Sequence, residues 1–408
     1  MKKAFCVIFG LLTVFCAAVL GGVGYFCYAL PEQVSATEGQ SFCVGAWVRS
    51  EPTSADGAMP AAAVGEQYRA QLKLAGVFPL KEVTVTVTQE KTVMVCGTPF
   101  GIKMYTDGVL VVGLSDVSTA AGNVGPAAAA GVQVGDVIVA VNGEEVTASR
   151  QVSRLIKNSN GGRLTLRLRR GGVEFDAVVT PVRSADESGY QAGMWIRDSA
   201  AGVGTLTFYD PATGAFGGLG HAVCDVDTGQ EMPLGVGEAV PARIFGVVKS
   251  EKGTPGELKG CFEPGTLGRL AMNGDQGLYG TLTMYPVGTV SLPVAQAQQV
   301  QEGAAQILCT LDGTRPQYYD VVIEQVRRRG GHTARHMVVR VTDPDLLTLT
   351  GGIVQGMSGS PVLQNGKLVG AITHVLVNDP TKGYAIFAEN MLETAKQVSE
   401  EQQMKDAS

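Results

Sequence analysis

The sequence predicts a mainly β protein of several domains, and three observations support this fold class. The chain has 408 residues, of which 45% are hydrophobic, enough for the cores of about two or three domains. Its 54 glycines, with only 6% aromatic and 17% charged residues, indicate many turns rather than long helices. After Pro181, apolar runs are repeatedly broken by glycine and proline, which is typical of a β-barrel or a double barrel.

The first 36 residues are expected to form a cytoplasmic tip and a transmembrane anchor or signal segment. Lys2 and Lys3 precede an uncharged, mostly apolar run from Ala4 to Leu30, which is long enough to cross a bilayer. Positive residues on its N-terminal side predict that the rest of the chain lies outside the cytoplasm. The length of the run favours an uncleaved anchor, and cleavage after Val34-Ser35-Ala36 is the alternative.

The composition predicts no cofactor, no metal and no nucleic-acid partner. The net charge is −6 and no basic stripe is present, so there is no electrostatic reason to expect nucleic acid. His332 and His336 have the spacing of helical metal ligands, but glycines interrupt that segment. Cysteines beyond the membrane run are odd in number and lack CxxC spacing, which indicates neither a zinc site nor a disulfide framework. They are Cys43, Cys96, Cys224, Cys261 and Cys309.

Residues 37–96 are expected to be an extracytoplasmic spacer that ends in a strand, because LKEVTVTVTQ alternates apolar and polar positions. Residues 97–182 then contain an apolar-Gly-apolar loop, a short helix at Pro126 to Ala130, a Gly135-Asp136 turn, the hairpin signal Asn142-Gly143 and a Gly171-Gly172 turn. This ordered series resembles a PDZ domain.

The resemblance to PDZ domains implies a peptide-binding site at Phe100, Gly101 and Ile102. In that family the loop before the second strand offers backbone N–H groups to the carboxylate of a peptide, which adds a strand to the sheet edge. The alternative interpretation is that Phe100 and Ile102 are core residues beside a turn, and the sequence leaves both open.

The segment Gly356-Met357-Ser358-Gly359-Ser360-Pro361 predicts a nucleophilic serine. A hydroxyl needs a base and backbone donors aimed at the developing oxyanion. A positive φ at Gly356 would point its N–H to the same place as that of Ser358. Ser358 is favoured over Ser360 because only Ser358 has a glycine two residues before it. An ordinary Gly/Ser turn is the alternative.

His221, in GLGHAV, is the favoured general base, because triads take the base from an element separate from the nucleophile turn. His374 lies on the strand GAITHVLV that follows the serine and is the main competitor, with a packing role expected for it. Cys224, three residues after His221, is expected to be a small buried residue. The carboxylate that would orient the histidine stays open among five residues, namely Asp225, Asp227, Asp343, Asp345 and Asp379.

Residues from about 186 to 400 resemble the peptidase domain of the SpoIVB family of spore-forming bacteria, a trypsin-like group. The resemblance is carried by GLGHAVCDVDTG, VTDPDLLTLTGGIVQGMSGSP and GKLVGAITHVLVNDPTKGYAIF, and the order of anchor, PDZ domain and peptidase also matches. It implies a trypsin-like double β-barrel with His221 as base, Asp343 as orienting carboxylate, Ser358 as nucleophile, and the N–H groups of Gly356 and Ser358 as oxyanion donors.

The resemblance also implies a function. A SpoIVB-type protein would be a serine endopeptidase delivered across the forespore membrane, or anchored in it, with its peptidase domain in the intermembrane space. There it would cleave itself, for which the stretch from Cys43 to Ala75 is a candidate region, and a membrane-bound regulator. That cleavage would release an intramembrane protease that activates the late mother-cell sigma factor.

Two other interpretations of the function are weighed. A cell-envelope scaffold with a PDZ domain and an inactive barrel is disfavoured because the serine and histidine motifs are intact. A general quality-control protease is disfavoured because such enzymes carry the PDZ domain after the protease.

Overall fold

The structure is a computed structural model that describes residues 21, 24, 33–37, 43–44, 48–52, 63–74, 77–186, 189–328 and 334–406. Strands dominate these ranges, so the predicted mainly β class is confirmed. Within the same ranges, no helix is long and apolar enough to span a membrane. Nearly all of the predicted anchor, Ala4 to Leu30, lies outside the described residues.

The N-terminal part is a five-stranded sheet with the order β1-β5-β4-β3-β2, in which β1 runs parallel to β5. The expected alternation is confirmed in β5, where Val83, Val85 and Val87 are buried. These side chains pack on the sheet face that also buries Leu72. The strands are β1 Gln33–Thr37, β2 Cys43–Val44, β3 Val48–Pro52, β4 Gln67–Leu74 and β5 Phe78–Thr88.

A small β domain with two helices follows the first part of the long strand β6, Thr92–Leu114. Asn142 and Gly143 both have positive φ, 51° and 81°, as a tight hairpin turn requires. The helices are α1 Pro126–Ala129 and α2 Ser149–Asn158. The strands are β7 Val117–Thr119, β8 Gly122–Val124, β9 Val137–Val141, β10 Glu144–Glu145, β11 Leu164–Arg170, β12 Val173–Val179, β13 Val182–Arg183 and β14 Tyr190–Gln191.

Six strands form a first barrel. The order β6-β15-β16-β20-β19-β17 closes on itself because β17 also pairs with β6. Strand β18 pairs with β17, and β21 pairs with β6. The strands are β15 Met194–Tyr209, β16 Ala215–Gly218, β17 Leu234–Val248, β18 Glu257–Phe262, β19 Gly268–Gly274, β20 Gly277–Leu282 and β21 Val290–Pro293.

A second closed barrel has the order β22-β23-β24-β27-β26-β25 and surrounds a separate apolar core. A short 3-10 helix, Ala297–Gln299, precedes it, and the helix α4, Ala388–Asp406, packs on the outside. The other elements are β22 Gly303–Cys309, β23 Gln317–Val326, β24 Met337–Val341, α3 Pro344–Thr350, β25 Pro361–Gln364, β26 Lys367–Val375 and β27 Lys382–Phe387.

The structure divides the chain differently from the boundaries expected at residues 97, 182 and 186. The first half of β6 belongs to the first barrel, while its second half, from Val109 on, pairs with β9 of the small domain. Strand β15 likewise begins in the small domain and ends in the barrel. The small domain is therefore inserted between two neighbouring strands of the first barrel, and both strands continue from one domain into the other.

This division corrects the expected peptide-binding loop. Phe100, Gly101 and Ile102 form no loop, because they lie in the middle of β6. Gly101 pairs with Val203 on one side and with Val240 on the other, so no strand edge is left for a peptide. Phe100 and Ile102 are buried in the first-barrel core, which is the alternative that the sequence left open.

Candidate active site and peptide groove

A cavity of about 760 Å³ brings together His221 and Ser358. His374 and Thr373 also line it, as do apolar side chains that include Ile353 and Val375. His221 comes from the first barrel and the other five residues from the second. The predicted base and nucleophile, His221 and Ser358, are far apart in the sequence and come from different barrels, yet they line the same cavity.

The approach to His221 is a strained turn. Leu219 has a positive φ of 64° although it is not glycine, a conformation that costs about 1–3 kcal/mol and is found mainly at functional sites. After the histidine, Asn273 of β19 holds the chain. Its side chain accepts from Val223 N (2.8 Å) and donates to Val223 O (2.9 Å) and to Met232 O (2.9 Å).

The hydrogen bond of the His221 ring fixes its tautomer. Nδ1 lies 2.7 Å from the carbonyl oxygen of Ala222, and because a carbonyl only accepts, Nδ1 carries the proton. Nε2 is then left as the basic nitrogen. Burial lowers the pKa of His221, and its hydrogen bond to Ala222 opposes this shift. The imidazole is thus neutral near pH 7, as a general base must be.

The serine turn contains the two N–H groups that are predicted to be oxyanion donors. Gly356 has the expected positive φ, 94°. Among the residues that the structure describes, the N–H groups of Gly356 and Ser358 meet no acceptor. Neighbouring N–H groups are engaged: Met357 N donates to Val354 O and Gly359 N to Ile372 O. The unengaged pair is the arrangement that an oxyanion requires.

Strand β15 of the first barrel holds the serine turn of the second barrel. Thr205 N donates to Ser358 O (3.0 Å) and Thr205 Oγ1 to Gly356 O (2.8 Å), while Thr207 Oγ1 donates to Gly359 O (2.7 Å). A Cβ at Gly359 would lie 2.0 Å from Thr205 O, so only glycine permits this approach.

The Ser358 hydroxyl does not point at the base in this arrangement. Ser358 Oγ donates to the carbonyl oxygen of Thr373 at 2.7 Å. The hydroxyl must leave this hydrogen bond before its proton can pass to His221. Such long or misdirected catalytic hydrogen bonds are common in proteins without bound substrate.

His374 lies against His221. The two rings are 4.6 Å apart between centroids with an interplanar angle of 37°. Burial, with the nearby His221 and Arg335, lowers the pKa of His374 to about 4, so its ring is neutral at pH values near 7. The sequence had favoured a packing role for this residue. Its stacking on His221 is consistent with that role and also places it in the cavity wall.

The remaining histidines and Cys224 have other environments. His336 is buried and stacked on Phe387 at 4.7 Å, and His332 lies outside the described residues. Cys224 lines the cavity but is exposed rather than buried as expected. Desolvation, with Glu231 and Asp275 close by, raises the pKa of its thiol, which disfavours the nucleophilic thiolate.

Asp343 is placed at the N-cap of α3. Its carboxylate accepts hydrogen bonds from the backbone N–H groups of Asp345 (3.0 Å), Leu346 (2.9 Å) and Asp320 (3.3 Å). It does not line the cavity that holds His221 and Ser358. The observed geometry is that of a helix cap, and orientation of His221 by Asp343 stays a prediction of the family resemblance.

The other candidate carboxylates also have partners of their own. Asp225 and Asp227 both pair with Arg197, and Asp379 Oδ1 accepts from Thr381 Oγ1 at 2.6 Å. Asp345 is exposed in the first turn of α3. In the described residues, the backbone oxygen of Ala222 is the hydrogen-bond partner of the His221 ring.

A second candidate site is a groove of about 290 Å³ in the small domain, between α2 and the start of β15. Ser153 and Ile156 of α2 line one side, and Ala192, Gly193 and Met194 line the other. From Met194 to Arg197 the described ladder of β15 is with β6 alone, so the edge toward α2 is open. An open strand edge beside a helix accepts an extended peptide.

The loop that closes this groove has the pattern sought at Phe100 to Ile102. Ala192-Gly193-Met194 is apolar-Gly-apolar, and Gly193 has a φ of 69°. Within the described part of the chain, the backbone N–H groups of Ala192 and Gly193 meet no acceptor. Sequence reasoning missed this loop because it lies near the end of the domain, directly before β15, whereas the loop was sought near the beginning of the domain. The signal QAGMWI was available in the sequence.

Comparison with known proteins agrees with this geometry. A model of the family described as SpoIVB peptidase S55 matches residues 188–392, half of the chain. The chain belongs to this family. It is a serine peptidase, and a PDZ-domain model matches residues 117–170. The PDZ match lies within the inserted domain and includes neither Phe100 to Ile102 nor Ala192 to Met194.

Two solved structures illustrate more distant likeness. The PDZ domain of the SdrC-like protein Lmo2051 from Listeria monocytogenes is 21% identical over 22% of this chain and 87% of that one, with a TM-score of 0.19. The HtrA-type protease AlgW, solved with a decapeptide, is 12% identical over 50% of this chain and 55% of that one, with a TM-score of 0.28. The chain thus spans about half the length of AlgW. No curated protein matches the chain.

The substitution Asp343→Asn separates capping from catalysis, because Asn caps a helix as well as Asp does. We expect the rate of covalent labelling by a fluorophosphonate to stay within about threefold of the native rate. Replacing an orienting carboxylate by Asn in a serine protease costs about 10⁴ in kcat. A loss of that order, with an unchanged melting temperature, would show that Asp343 orients His221 in the working enzyme.

The acid limb of the pH profile tests the environment of His221. Because burial lowers the pKa of His221, the neutral base persists to lower pH than an ordinary histidine. We expect the labelling rate to be half-maximal below about pH 6.5, the usual histidine value. Labelling by a fluorophosphonate between pH 4 and 9, corrected for hydrolysis of the probe, measures this limb. A midpoint at or above the usual value would contradict the buried neutral base.

Proposed function

We propose that this serine peptidase is an endopeptidase of sporulation signalling that acts outside the cytoplasm. The observation that carries the catalytic part is the cavity in which His221 and Ser358 meet, beside the two N–H groups of Gly356 and Ser358 that have no acceptor in the described residues. The family match supports the signalling part.

The geometry supports the following reaction. After rotation of its side chain, Ser358 Oγ bonds to the carbonyl carbon of the substrate while its proton passes to Nε2 of His221. The carbonyl oxygen becomes an oxyanion held by the N–H groups of Gly356 and Ser358. The C–N bond then breaks as His221 gives the proton to the leaving amine. Water, deprotonated by His221, hydrolyses the acyl-enzyme and restores the serine.

The proposed substrates are the chain itself and a membrane-bound regulator of an intramembrane protease that activates the late mother-cell sigma factor. Support comes from the family match and from the apolar run Ala4 to Leu30 with Lys2 and Lys3 before it. The same run supports a location across or in the forespore membrane, with the peptidase domain in the space between membranes.

The PDZ groove gives the enzyme a second way to bind proteins. A peptide that enters beside Trp195 would extend the sheet through the open edge of β15. Its terminal carboxylate would meet the N–H groups of Ala192 and Gly193, and a side chain would rest on Ile156. The proposed ligand is therefore an extended peptide with a free carboxyl terminus.

Labelling by a fluorophosphonate tests the catalytic assignment. We expect rapid labelling of the native chain and a loss of at least about 10³-fold in Ser358→Ala and His221→Ala, because each removes a part that the others need. Ser360→Ala is the matched control, since Ser360 is in the same turn and fully buried. Intact mass spectrometry counts the adducts.

Labelling that survives Ser358→Ala would overturn the assignment. An unlabelled native chain that is folded and still binds peptides would instead favour a scaffold with an inactive barrel.

Filling the groove tests the peptide site. Ser153→Trp places a large side chain in the groove between α2 and β15, and we expect it to weaken peptide binding at least tenfold, about 1.4 kcal/mol. The probe is a peptide selected by the native chain from a displayed library with free carboxyl termini, and fluorescence polarisation measures its affinity. Thr165→Trp, at an exposed position of β11 outside the groove, is the control. Equal affinities for the two variants would contradict the site.

A further inference from the structure

One side chain joins the strand that edges the peptide groove to the loop that follows the catalytic histidine. Arg197 comes directly after Ile196, the last groove residue of β15. Its guanidinium donates from Nη1 to Asp225 Oδ2 and from Nη2 to Asp227 Oδ2, the latter at 2.7 Å. Asp225 and Asp227 lie four and six residues after His221 in the segment GHAVCDVDTG.

Asp225 is buried and makes most of the hydrogen bonds that stabilise this loop. Its side chain has no exposed surface. Its second oxygen, Oδ1, accepts from Asp227 N (3.1 Å), Thr228 N (2.9 Å) and Thr228 Oγ1 (3.0 Å). The main chain of Asp225 is also closed by hydrogen bonds with Gln230 and Gly229. A buried carboxylate must be paired with a positive charge or with hydrogen-bond donors. The loop itself supplies donors to Oδ1 of Asp225, and Arg197 supplies the positive charge at Oδ2.

A second contact joins the same loop to the PDZ domain. A Cβ placed on Gly135 would lie 2.1 Å from Oε1 of Gln230, so the Gly135-Asp136 turn of the PDZ domain packs closely on this side chain. The loop from Asp225 to Gln230 is therefore bounded by the PDZ domain on one side and by β15 on another. Its position depends on contacts outside the barrel that carries His221.

We propose that Arg197 is a positioning residue for His221, acting through Asp225 and Asp227. This inference rests on the proposed catalytic role of His221. Asn273 holds the chain at Val223, and Arg197 adds a second attachment, from β15 to the loop that follows, so loss of Arg197 is expected to let His221 shift relative to Ser358. A peptide in the groove would contact Trp195 and Ile196, the residues directly before Arg197. Arginine suits the task because its planar fork reaches two carboxylates at once, which an ammonium group cannot do in the same geometry.

The test compares full-length variants by the kinetics of fluorophosphonate labelling, which separate the maximal inactivation rate, kinact, from the apparent affinity, KI. We expect Arg197→Gln to lower kinact about 10- to 100-fold, the cost of a displacement near 1 Å at a catalytic group, with KI within about twofold. Arg197→Lys, which keeps the charge, is expected to recover part of the loss. Asp227→Asn removes only the exposed arm of the pair and is expected to lower kinact about two- to fivefold.

Arg167→Gln is the matched control, because Arg167 pairs with Asp176 at 3.0 Å on the surface of the same domain, away from the loop. We expect its kinact to equal the native value within about twofold. Melting curves identify the folded fraction of every variant, and rates are expressed per folded molecule. If Arg197→Gln does not fold, the proposal is tested by the kinact values of Arg197→Lys and Asp227→Asn, both of which are expected to be lower than the native value.

The proposal would be overturned if the kinact of Arg197→Gln equalled that of the Arg167→Gln control. Where Arg197→Gln does not fold, the same holds if Arg197→Lys and Asp227→Asn both equal the control. A loss confined to KI would also overturn it. Either result leaves the catalytic assignment intact as long as the native chain is labelled at Ser358 and His221→Ala is not. Failure of the positioning role and failure of the catalytic role are thus distinguishable.

Discussion

The relative positions of the peptide groove, the loop after His221 and the serine turn depend on the hydrogen bonds of one strand, Met194–Tyr209. Its first residues edge the peptide groove, Arg197 pairs with the loop after His221, and Thr205 and Thr207 bind the serine turn of the other barrel. Pairing with β6 extends along most of its length. Together with the contact between the rings of His221 and His374, this strand links the groove, the loop after His221 and the serine turn.

The chemistry of the site depends on backbone groups as much as on side chains. A main-chain oxygen, that of Ala222, fixes the tautomer of His221, and two main-chain N–H groups are the proposed oxyanion donors. These groups are placed by turns with unusual backbone geometry, namely the positive φ of Leu219 and the close approach of Gly359 to Thr205.

Local patterns predicted much of this structure. The alternation in LKEVTVTVTQ, the turn at Asn142-Gly143 and the glycine-framed Ser358 all specify their own conformation through nearby residues. Two features depend on contacts distant in sequence and were not predictable in the same way. Phe100 to Ile102 lie in the core because β15 and β17 cover both edges of β6, and the groove loop is Ala192-Gly193-Met194, beside α2. The cap at Asp343 is local, since its carboxylate accepts from Asp345 N and Leu346 N, and the family resemblance had given this residue a catalytic role instead.

We infer that β15 holds the serine turn in the backbone arrangement that acylation uses. A crystal structure of the chain after reaction with a fluorophosphonate would test this arrangement. We expect phosphorus bonded to Ser358 Oγ, a phosphonyl oxygen accepting from the N–H groups of Gly356 and Ser358, and the hydrogen bonds from Thr205 retained. An adduct on another residue, or a phosphonyl oxygen turned away from those two N–H groups, would contradict it.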